Sequence, residues 1–377
     1  MTATKKATPK RKSEGPPQKR ATQLEVLTQF KAHFAKKYGD QLIVMGDLDN
    51  TVPGYVSTQS LALDWICGNT GVPMSRIVDA SGDEGVGKST FGDHLMAEVQ
   101  RLGGHAWLWD TENARDDRYQ RKIGIARQKA GQIQSHTMED GLDVVLDILG
   151  WHLANDPTRP GIILWDTPAG MPTRAEANPE KTDERFGPAK IIRSYLRKLN
   201  QLLQQMKWIF CVVNQTYMGQ TPGGQSYKAV YGGGGIPFYS SVRLSFSHPS
   251  KFWRSTHDKE LGLPPIGQTV WVKCVKNRVS APHRSRQIAI HYGEGFSNSW
   301  DLFNTLSGAG AINQAGGWYS FDPAWPDLAK KYPKKFQGGH LGLEQLVREH
   351  AELWADLLKV YHQLEVGNAV DAGTEGS

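Results

Sequence analysis

Eight residues, Gly82-Asp83-Glu84-Gly85-Val86-Gly87-Lys88-Ser89, carry the strongest chemical signal in the chain. Two glycines at this spacing, followed by Lys-Ser, have the form of a phosphate-binding P-loop. The glycines let the backbone fold around an anion, which successive N–H groups and a helix N-terminus then face. Lys88 would neutralise β- and γ-phosphates, Ser89 would hold Mg²⁺, and Thr90 closes the binding stretch. A chance glycine-rich turn is the alternative. The flanks argue against it. Arg76-Ile77-Val78-Asp79-Ala80 reads as a buried strand, and Phe91, Leu95, Met96 and Val99 follow at helical spacing.

Phosphoryl chemistry needs a second acidic group on the metal. Asp166 ends the apolar run Ile162 to Trp165, the form expected of a Walker B strand, although an Asp there can also cap a turn. Hydrolysis also needs a group to orient or deprotonate water. Glu112 lies just past the strand Trp107-Leu108-Trp109, at the strand end where open α/β sheets place ligands; a surface glutamate is the competing reading. Asn214-Gln215 ends a third apolar run, where two amides could sense a γ-phosphate or make ordinary strand-end hydrogen bonds.

Two segments combine cations with aromatics. Residues 174–193 hold Arg174, Lys181, Arg185, Lys190 and Arg193 around Phe186. Residues 216–235 hold Tyr217, Met218, Tyr227, Lys228 and Tyr231 among glycines that include Gly232 and Gly233. Cations contact phosphates and rings stack on bases, which suits single-stranded nucleic acid; solvated loops with incidental charge are the bland reading. The four-glycine run at 232–235 marks a mobile loop. A third basic cluster, Lys330 to Lys335, would either steer duplex DNA or decorate a helix end.

These groups need a sheet to hold them. Ala106 to Trp109, Ile162 to Trp165 and Trp208 to Val213 are continuous apolar runs, which fit strands buried on both faces of a mostly parallel α/β sheet. Val242 to Phe246 and Gln287 to Tyr292 alternate, as expected of antiparallel strands toward one edge. Ahead of the core, Thr22-Gln23-Leu24-Glu25 has the form of a capping box, and Leu24, Leu27, Phe30 and Phe34 mark one helical face up to Gly39. Leu343, Leu346, Val347, Leu353, Leu357 and Val360 mark a final amphipathic helix. The expected boundaries are a disordered basic tail at 1–21, an N-terminal segment at 22–55, the ATPase core at 56–295, a small C-terminal domain at 296–364 and a fraying tail at 365–377.

The chain has 377 residues and a net charge of +6. Residues 1–21 hold seven basic side chains against Glu14, so the remainder is formally neutral. A flexible basic arm suits a polyanion such as nucleic acid, or serves solubility or targeting. No apolar run is long enough to span a membrane, and the basic start lacks the apolar stretch of a secretory signal. Cys67, Cys211 and Cys274 lie far apart in apolar segments and read as buried free thiols of a reducing compartment.

The chain resembles RecA, the bacterial homologous-recombination ATPases, and their phage relatives of the UvsX kind. The resemblance runs from about Leu24 to Leu364. It rests on Val56-Ser57-Thr58-Gln59-Ser60-Leu61-Ala62-Leu63-Asp64, Gly71 to Val78, Phe238 to Leu244, Val275 to Pro282, Tyr292 to Gly295 and Ala315 to Ser320, in order and near the right spacing. It implies a RecA-type P-loop core with an N-terminal oligomerisation helix and a small α+β C-terminal domain. It also implies ATP and Mg²⁺ as cofactors, a homo-oligomeric helical filament on single-stranded DNA, and homologous pairing with double-stranded DNA and strand exchange. Single-strand-binding and loader proteins are further partners it suggests, and the location is the cytoplasm of a bacterium or phage-infected host.

By motif position, Glu112 falls on the family's catalytic glutamate and Gln215 on its γ-phosphate sensor. Asp116 and Tyr119 fall on adenine contacts, with Tyr119 supplying the stacking ring. Lys276 and Arg278 would reach the neighbouring subunit's phosphates, and the Thr22–Tyr38 helix would pack on the adjacent core. Arg278 stands where bacterial RecA has lysine, and Pro237 also replaces a lysine. Phe186 takes the place of the wedge methionine, and Gly223-Gly224 replace bulkier apolar groups. A DNA-binding scaffold with ATP as an assembly switch, and a ring-forming helicase on the same core, are the other readings.

Overall fold

The computed structural model describes residues 51–178, 187–220, 224 and 226–374, with isolated positions between 22 and 36. The chain divides into two units, Met1–Thr51 and Val52–Ser377. In the first, the capping box forms. The Thr22 amide donates to Glu25 Oε2 at 2.7 Å, and the Glu25 amide donates to Thr22 Oγ1 at 3.3 Å. Glu25, Thr28, Gln29, Ala32, His33 and Lys36 are helical and exposed. The apolar stripe of Leu24, Leu27, Phe30 and Phe34, like the basic tail, lies outside the described residues.

The second unit is built on a ten-stranded sheet. Its strands are β1 (Arg76–Gly82), β2 (His105–Asp110), β3 (Ala130–Gln132), β4 (Gly161–Asp166), β5 (Trp208–Gln220), β6 (Ser226–Val230), β7 (Val242–Phe252), β8 (Gly267–Asn277), β9 (Ser285–His291) and β10 (Gly295–Phe296). Their order is β10-β9-β8-β7-β1-β5-β4-β2-β3, with β6 paired to β5 alone. Strands from β7 across to β3 run parallel, and β8, β9 and β10 add antiparallel at one edge. The expectation for Val242 to Phe246 needs correction. This strand alternates in burial but pairs in parallel with the P-loop strand, Val78 against Val242. Its other side pairs antiparallel with β8, so alternation here reflects half-covered faces and not an edge.

Helices cover both faces. On one side α1 (Leu61–Ile66) and α2 (Lys88–Arg101) pack with Phe91, Leu95, Leu164 and Phe246; α3 (Asp117–Ile123) joins them through Ile123. On the other, α4 (Met138–Asn155) and α5 (Pro188–Leu203) bury Leu142, Val145, Leu196 and Leu199 against Trp109, Trp165 and Phe210. Continuous apolar runs in β2, β4 and β5 follow from this double coverage. All three cysteines are buried and unpaired.

A third core lies after β10. The strands Ile312–Ala315, Trp318–Phe321 and Phe336–Gln337 form an antiparallel sheet packed with Leu302, Leu306, Leu343 and Leu357. The Asp301 carboxylate ties this unit to α1, accepting from the Ser60 hydroxyl at 2.9 Å and the Ala62 amide at 3.0 Å. The single final helix expected from Leu343 to Val360 is two, Gly339–Glu349 and Leu353–Thr374. The break falls where the His350 ring packs edge-on against Tyr332, whose hydroxyl bonds Asp356 in the second helix. That helix continues past the expected boundary at Leu364. The basic cluster is partly structural as well: Tyr332 is buried and Lys331 pairs with Asp356 at 2.7 Å.

Candidate nucleotide site

The P-loop leaves β1 at Gly82 and enters α2 through Gly87, whose φ of 87° is left-handed and whose position offers no side-chain cap. The first N–H groups of α2 are therefore left for a ligand. Glycine is favoured by this conformation, and a Cβ at Gly87 would sit 2.2 Å from Ile290 Cδ1, so the tip of that side chain would have to move. Beside the loop lies a cleft of about 650 Å³, a size that suits a nucleotide. Lys88, Ser89 and Thr90 form one wall, Asp116, Arg118 and Tyr119 the second, and Gln268 and Tyr292 a third. The Tyr119 and Thr90 hydroxyls are 2.8 Å apart, which fixes the ring over the cleft. Asp116 spends its Oδ1 on capping α3, accepting from Arg118 and Tyr119 amides. Oδ1 thus holds the Tyr119 helix, and the residue also lines the cleft.

Lys88 is buried and donates to the Asp83 carbonyl at 2.5 Å. Burial lowers its pKa, against the pull of Asp166, Glu112, Asp83 and Glu84. An anion entering the loop would favour the charged ammonium and oppose this desolvation. Asp166, at the end of β4, is held by Arg115, whose Nη2 lies 2.5 Å from Asp166 Oδ2 while Nη1 engages Asp93 of α2. Asp166 Oδ1 has no hydrogen-bond partner among the described residues. One hydroxyl (Ser89) and one carboxylate (Asp166) are a sparse donor set. That fits Mg²⁺, which keeps waters and takes the rest of its shell from phosphates.

Glu112 is exposed at the end of β2. Burial raises its pKa, reinforced by Asp166 and Asp110. Its Oε1 accepts from the Gln215 side-chain amide at 2.9 Å. Gln215 does not end its strand. β5 runs on to Gln220 and pairs antiparallel with β6, Thr216 against Val230 and Gly219 against Tyr227. Residues 216–220 and 226–230, read from sequence as part of a loop, are therefore the two arms of a β-hairpin, and the glycines at 232–234 lie in the turn that follows it. The hairpin's β-branched and aromatic residues on both sides of Pro222-Gly223-Gly224 explain why. Asn214 is structural, donating to the Tyr231 carbonyl at 3.0 Å, and Thr216 Oγ1 bonds Asp83 Oδ1 in the P-loop at 2.7 Å. Gly232, Gly233 and Gly235 pack against α5; a Cβ at Gly232 would lie 2.7 Å from Ile192 Cδ1.

The pattern of the RecA N-terminal domain matches residues 25–297. The chain is 33% identical over 325 residues to Protein RecA of Lactobacillus acidophilus, covering 83% of this chain and 84% of the relative. It is 29% identical over 363 residues to Protein RecA of Bacillus thuringiensis, covering 93% and 94%. The chain belongs to the RecA family. Its function is the family's, DNA recombination and repair by strand exchange. RecA-family proteins use ATP with Mg²⁺, bind DNA and typically form homo-oligomeric filaments.

Other RecA-type positions are not gathered in one protomer. Lys276 and Arg278 do not line the cleft. The register of Asn277 with Val242, and of Val242 with Val78, puts them at the opposite end of the sheet from Gly82. Lys276 donates to the Pro237 and Phe238 carbonyls at 2.7 and 3.0 Å, and Arg278 to that of Phe238 at 3.0 Å. Burial, with Arg278 and Arg243 nearby, lowers Lys276 to about 8. In the first basic segment, Arg174 pairs with Asp140 and Asp143 at 2.5 and 2.8 Å. Lys190 and Arg193 lie in the first two turns of α5, and Lys181, Arg185 and Phe186 lie outside the described residues. On the hairpin, Tyr217 and Met218 are 52% and 66% exposed.

Sequence reasoning missed Arg115, Asp93, Gln268 and Tyr292 at the cleft. Tyr292 and its neighbours carried the resemblance but suggested no role. Gln268 closes the third wall by donating to the Gly85 carbonyl at 2.5 Å. Arg115 and Asp93 are 22 residues apart on different elements, so no local spacing could pair them. Among the described residues, no helix is long and apolar enough to cross a membrane.

Proposed function

We propose that this RecA-family chain is a DNA-dependent ATPase that exchanges strands within a homo-oligomeric filament. The observation that carries the reading is the Glu112–Gln215 contact, which joins the hydrolytic end of the cleft to the hairpin. In this reading the P-loop amides and Lys88 bind the ATP phosphates, and Tyr119 stacks on the base. Ser89 and Asp166 are the protein groups that would hold Mg²⁺, which would neutralise phosphate charge there. Glu112 orients and deprotonates the attacking water. Its raised pKa leaves it a better proton acceptor than an ordinary glutamate, provided it is ionised at the working pH.

Tyr217 and Met218 present exposed apolar surface to bases, with Lys228, Lys190 and Arg193 for phosphates. A DNA strand on β5–β6 shifts the hairpin, and Gln215 carries that shift to Glu112. Lys276 and Arg278 are reserved for the next subunit's nucleotide, where two cations offset transition-state charge. Their distance from their own P-loop supports an intersubunit role. The domain reading keeps 56–295 as the ATPase core and 296–364 as a small C-terminal domain; the separate apolar cluster after β10 supports it.

Protein, ATP and Mg²⁺ mixed with a labelled single strand and a matching duplex should give exchange product, and a scrambled duplex none. ATP turnover should rise when single-stranded DNA is added. Coating of the strand without product would replace strand exchange with the scaffold reading.

A further inference from the structure

The guanidinium of Arg115 sits between two carboxylates from different elements. Its side chain is 8% exposed, and those of Asp93 and Asp166 are 3% and 9% exposed. Nη1 engages Asp93 Oδ1, which also accepts from the Gln120 side-chain amide at 3.1 Å. Nη2 reaches Asp166 Oδ2 at 2.5 Å. Nε is buried with no acceptor. The fork is thus turned fully toward the two carboxylates, at the expense of its own third donor. Arginine suits such a site because its planar donors are fixed relative to each other, so fixing one carboxylate orients the other. Arg115 also sits on the short loop between Glu112 and Tyr119, and it lines the cleft with Asp93.

Resting on the nucleotide-site reading above, we propose that Arg115 is a positioning residue for the metal-linked part of that site. By holding Asp166 through Oδ2, it fixes the carboxylate and leaves Oδ1 without a hydrogen-bond partner among the described residues. By holding Asp93, it anchors that arrangement to α2, the helix the P-loop opens. The loop bearing Glu112 and Tyr119 is pinned by the same contact. A mere packing bridge would not need to reach the carboxylate assigned to the metal, and Asp93 alone would satisfy its charge.

The test is nucleotide binding, not turnover. A fluorescent ATP analogue is titrated onto the full chain in EDTA and in Mg²⁺, and the ratio of the two Kd values is the magnesium gain. The variants are Asp93→Leu/Arg115→Leu, which removes Asp93 with its partner and leaves Asp166 as the one carboxylate without its guanidinium, and Arg115→Lys, which keeps the charge without the fork. The double variant is expected to bind more weakly in EDTA, because the Tyr119 loop loses its pin, and beyond that to lose about tenfold of magnesium gain, the ratio from which the first loss cancels. Arg115→Lys should lose most of that gain too, and it serves alone if the double variant does not fold. An unchanged gain in a folded variant reduces Arg115 to packing and overturns the proposal. A larger gain overturns it also, because Arg115 would then compete with the metal. Asp166→Asn separates the underlying reading: if it leaves the native gain intact, the metal assignment itself falls, and if the native chain shows no nucleotide binding, the nucleotide site falls.

Discussion

The Gln215 side-chain amide donates to Glu112 Oε1 at 2.9 Å across two strands that are not neighbours. β4 lies between β5 and β2, so this contact passes over the strand that ends in Asp166. Gln215 is followed directly by the hairpin, and its neighbour Thr216 bonds Asp83 of the P-loop. Two adjacent residues therefore tie the hairpin to both ends of the phosphate site. Replacing Gln215 with alanine removes one charge-assisted hydrogen bond, worth about 1.5–3 kcal/mol. The expected result is a fall of about tenfold or more in the ratio of ATP turnover with and without single-stranded DNA, with nucleotide affinity kept. An unchanged ratio would break the link between hairpin and glutamate.

Glu112→Gln should slow hydrolysis by about 10²–10⁴-fold while preserving nucleotide binding, the range for loss of a general base. The pH profile checks the same residue. Burial and the nearby Asp166 and Asp110 carboxylates raise the Glu112 pKa. The base works ionised, so turnover should fall as pH drops through that raised value, at a higher pH than an ordinary glutamate would give. Native-like turnover in the variant would move the role elsewhere.

Tyr217 and Met218 stand on the hairpin with half or more of their surface exposed. Loss of one stacked base costs about 1–3 kcal/mol. Tyr217→Ala should therefore weaken single-strand affinity by roughly tenfold, measured by fluorescence anisotropy. Stacking releases no counterions, so the slope of affinity against salt should stay the same. A changed slope with unchanged affinity at low salt would assign Tyr217 no stacking role.

The P-loop and the strands β1, β2, β4 and β5 are legible because their signals are local. Glycine spacing and continuous apolar runs report backbone geometry and two-sided burial directly. The hairpin was hidden because its glycines outweighed the strand-favouring Thr216 and Tyr217 and the alternation of Ser226 to Ala229. Position 242 misled because alternation tells how faces are covered and not which way a neighbour runs. Arg115 was illegible for a different reason. Its partners Asp93 and Asp166 come from α2 and β4, and only the packed sheet brings them together.

Gly87 gives a conformational prediction. At φ 87° any side chain adopts the left-handed region, costing roughly 1–2 kcal/mol, and its Cβ would also press on Ile290. Gly87→Ala should lower the melting temperature and, by displacing the first amides of α2, weaken nucleotide binding. A variant that melts lower but binds normally would separate strain from site geometry.

His94 makes the core sensitive to acid. Its ring stacks on Phe296, its Nδ1 lies 2.7 Å from Gln59 Oε1, and its Nε2 accepts from the Phe296 amide at 3.2 Å. The neutral ring with its proton on Nδ1 satisfies both contacts. A second proton would set two donors against each other, in a site whose burial already lowers the pKa from 6.5 to about 4. The unfolded chain therefore takes up the proton first. Stability is complete above about pH 6.5 and is lost as pH falls toward 4, by about 3 kcal/mol for a depression of this size. Burial and His291 lower His340 to about 4 as well, which adds to the loss, while burial raises Asp301 to about 6, which opposes it over the same window. His94→Gln should flatten the fall in melting temperature between pH 7 and pH 5, whatever it does to stability at neutral pH. An unaltered slope would mean that His94 does not resist protonation in the folded chain.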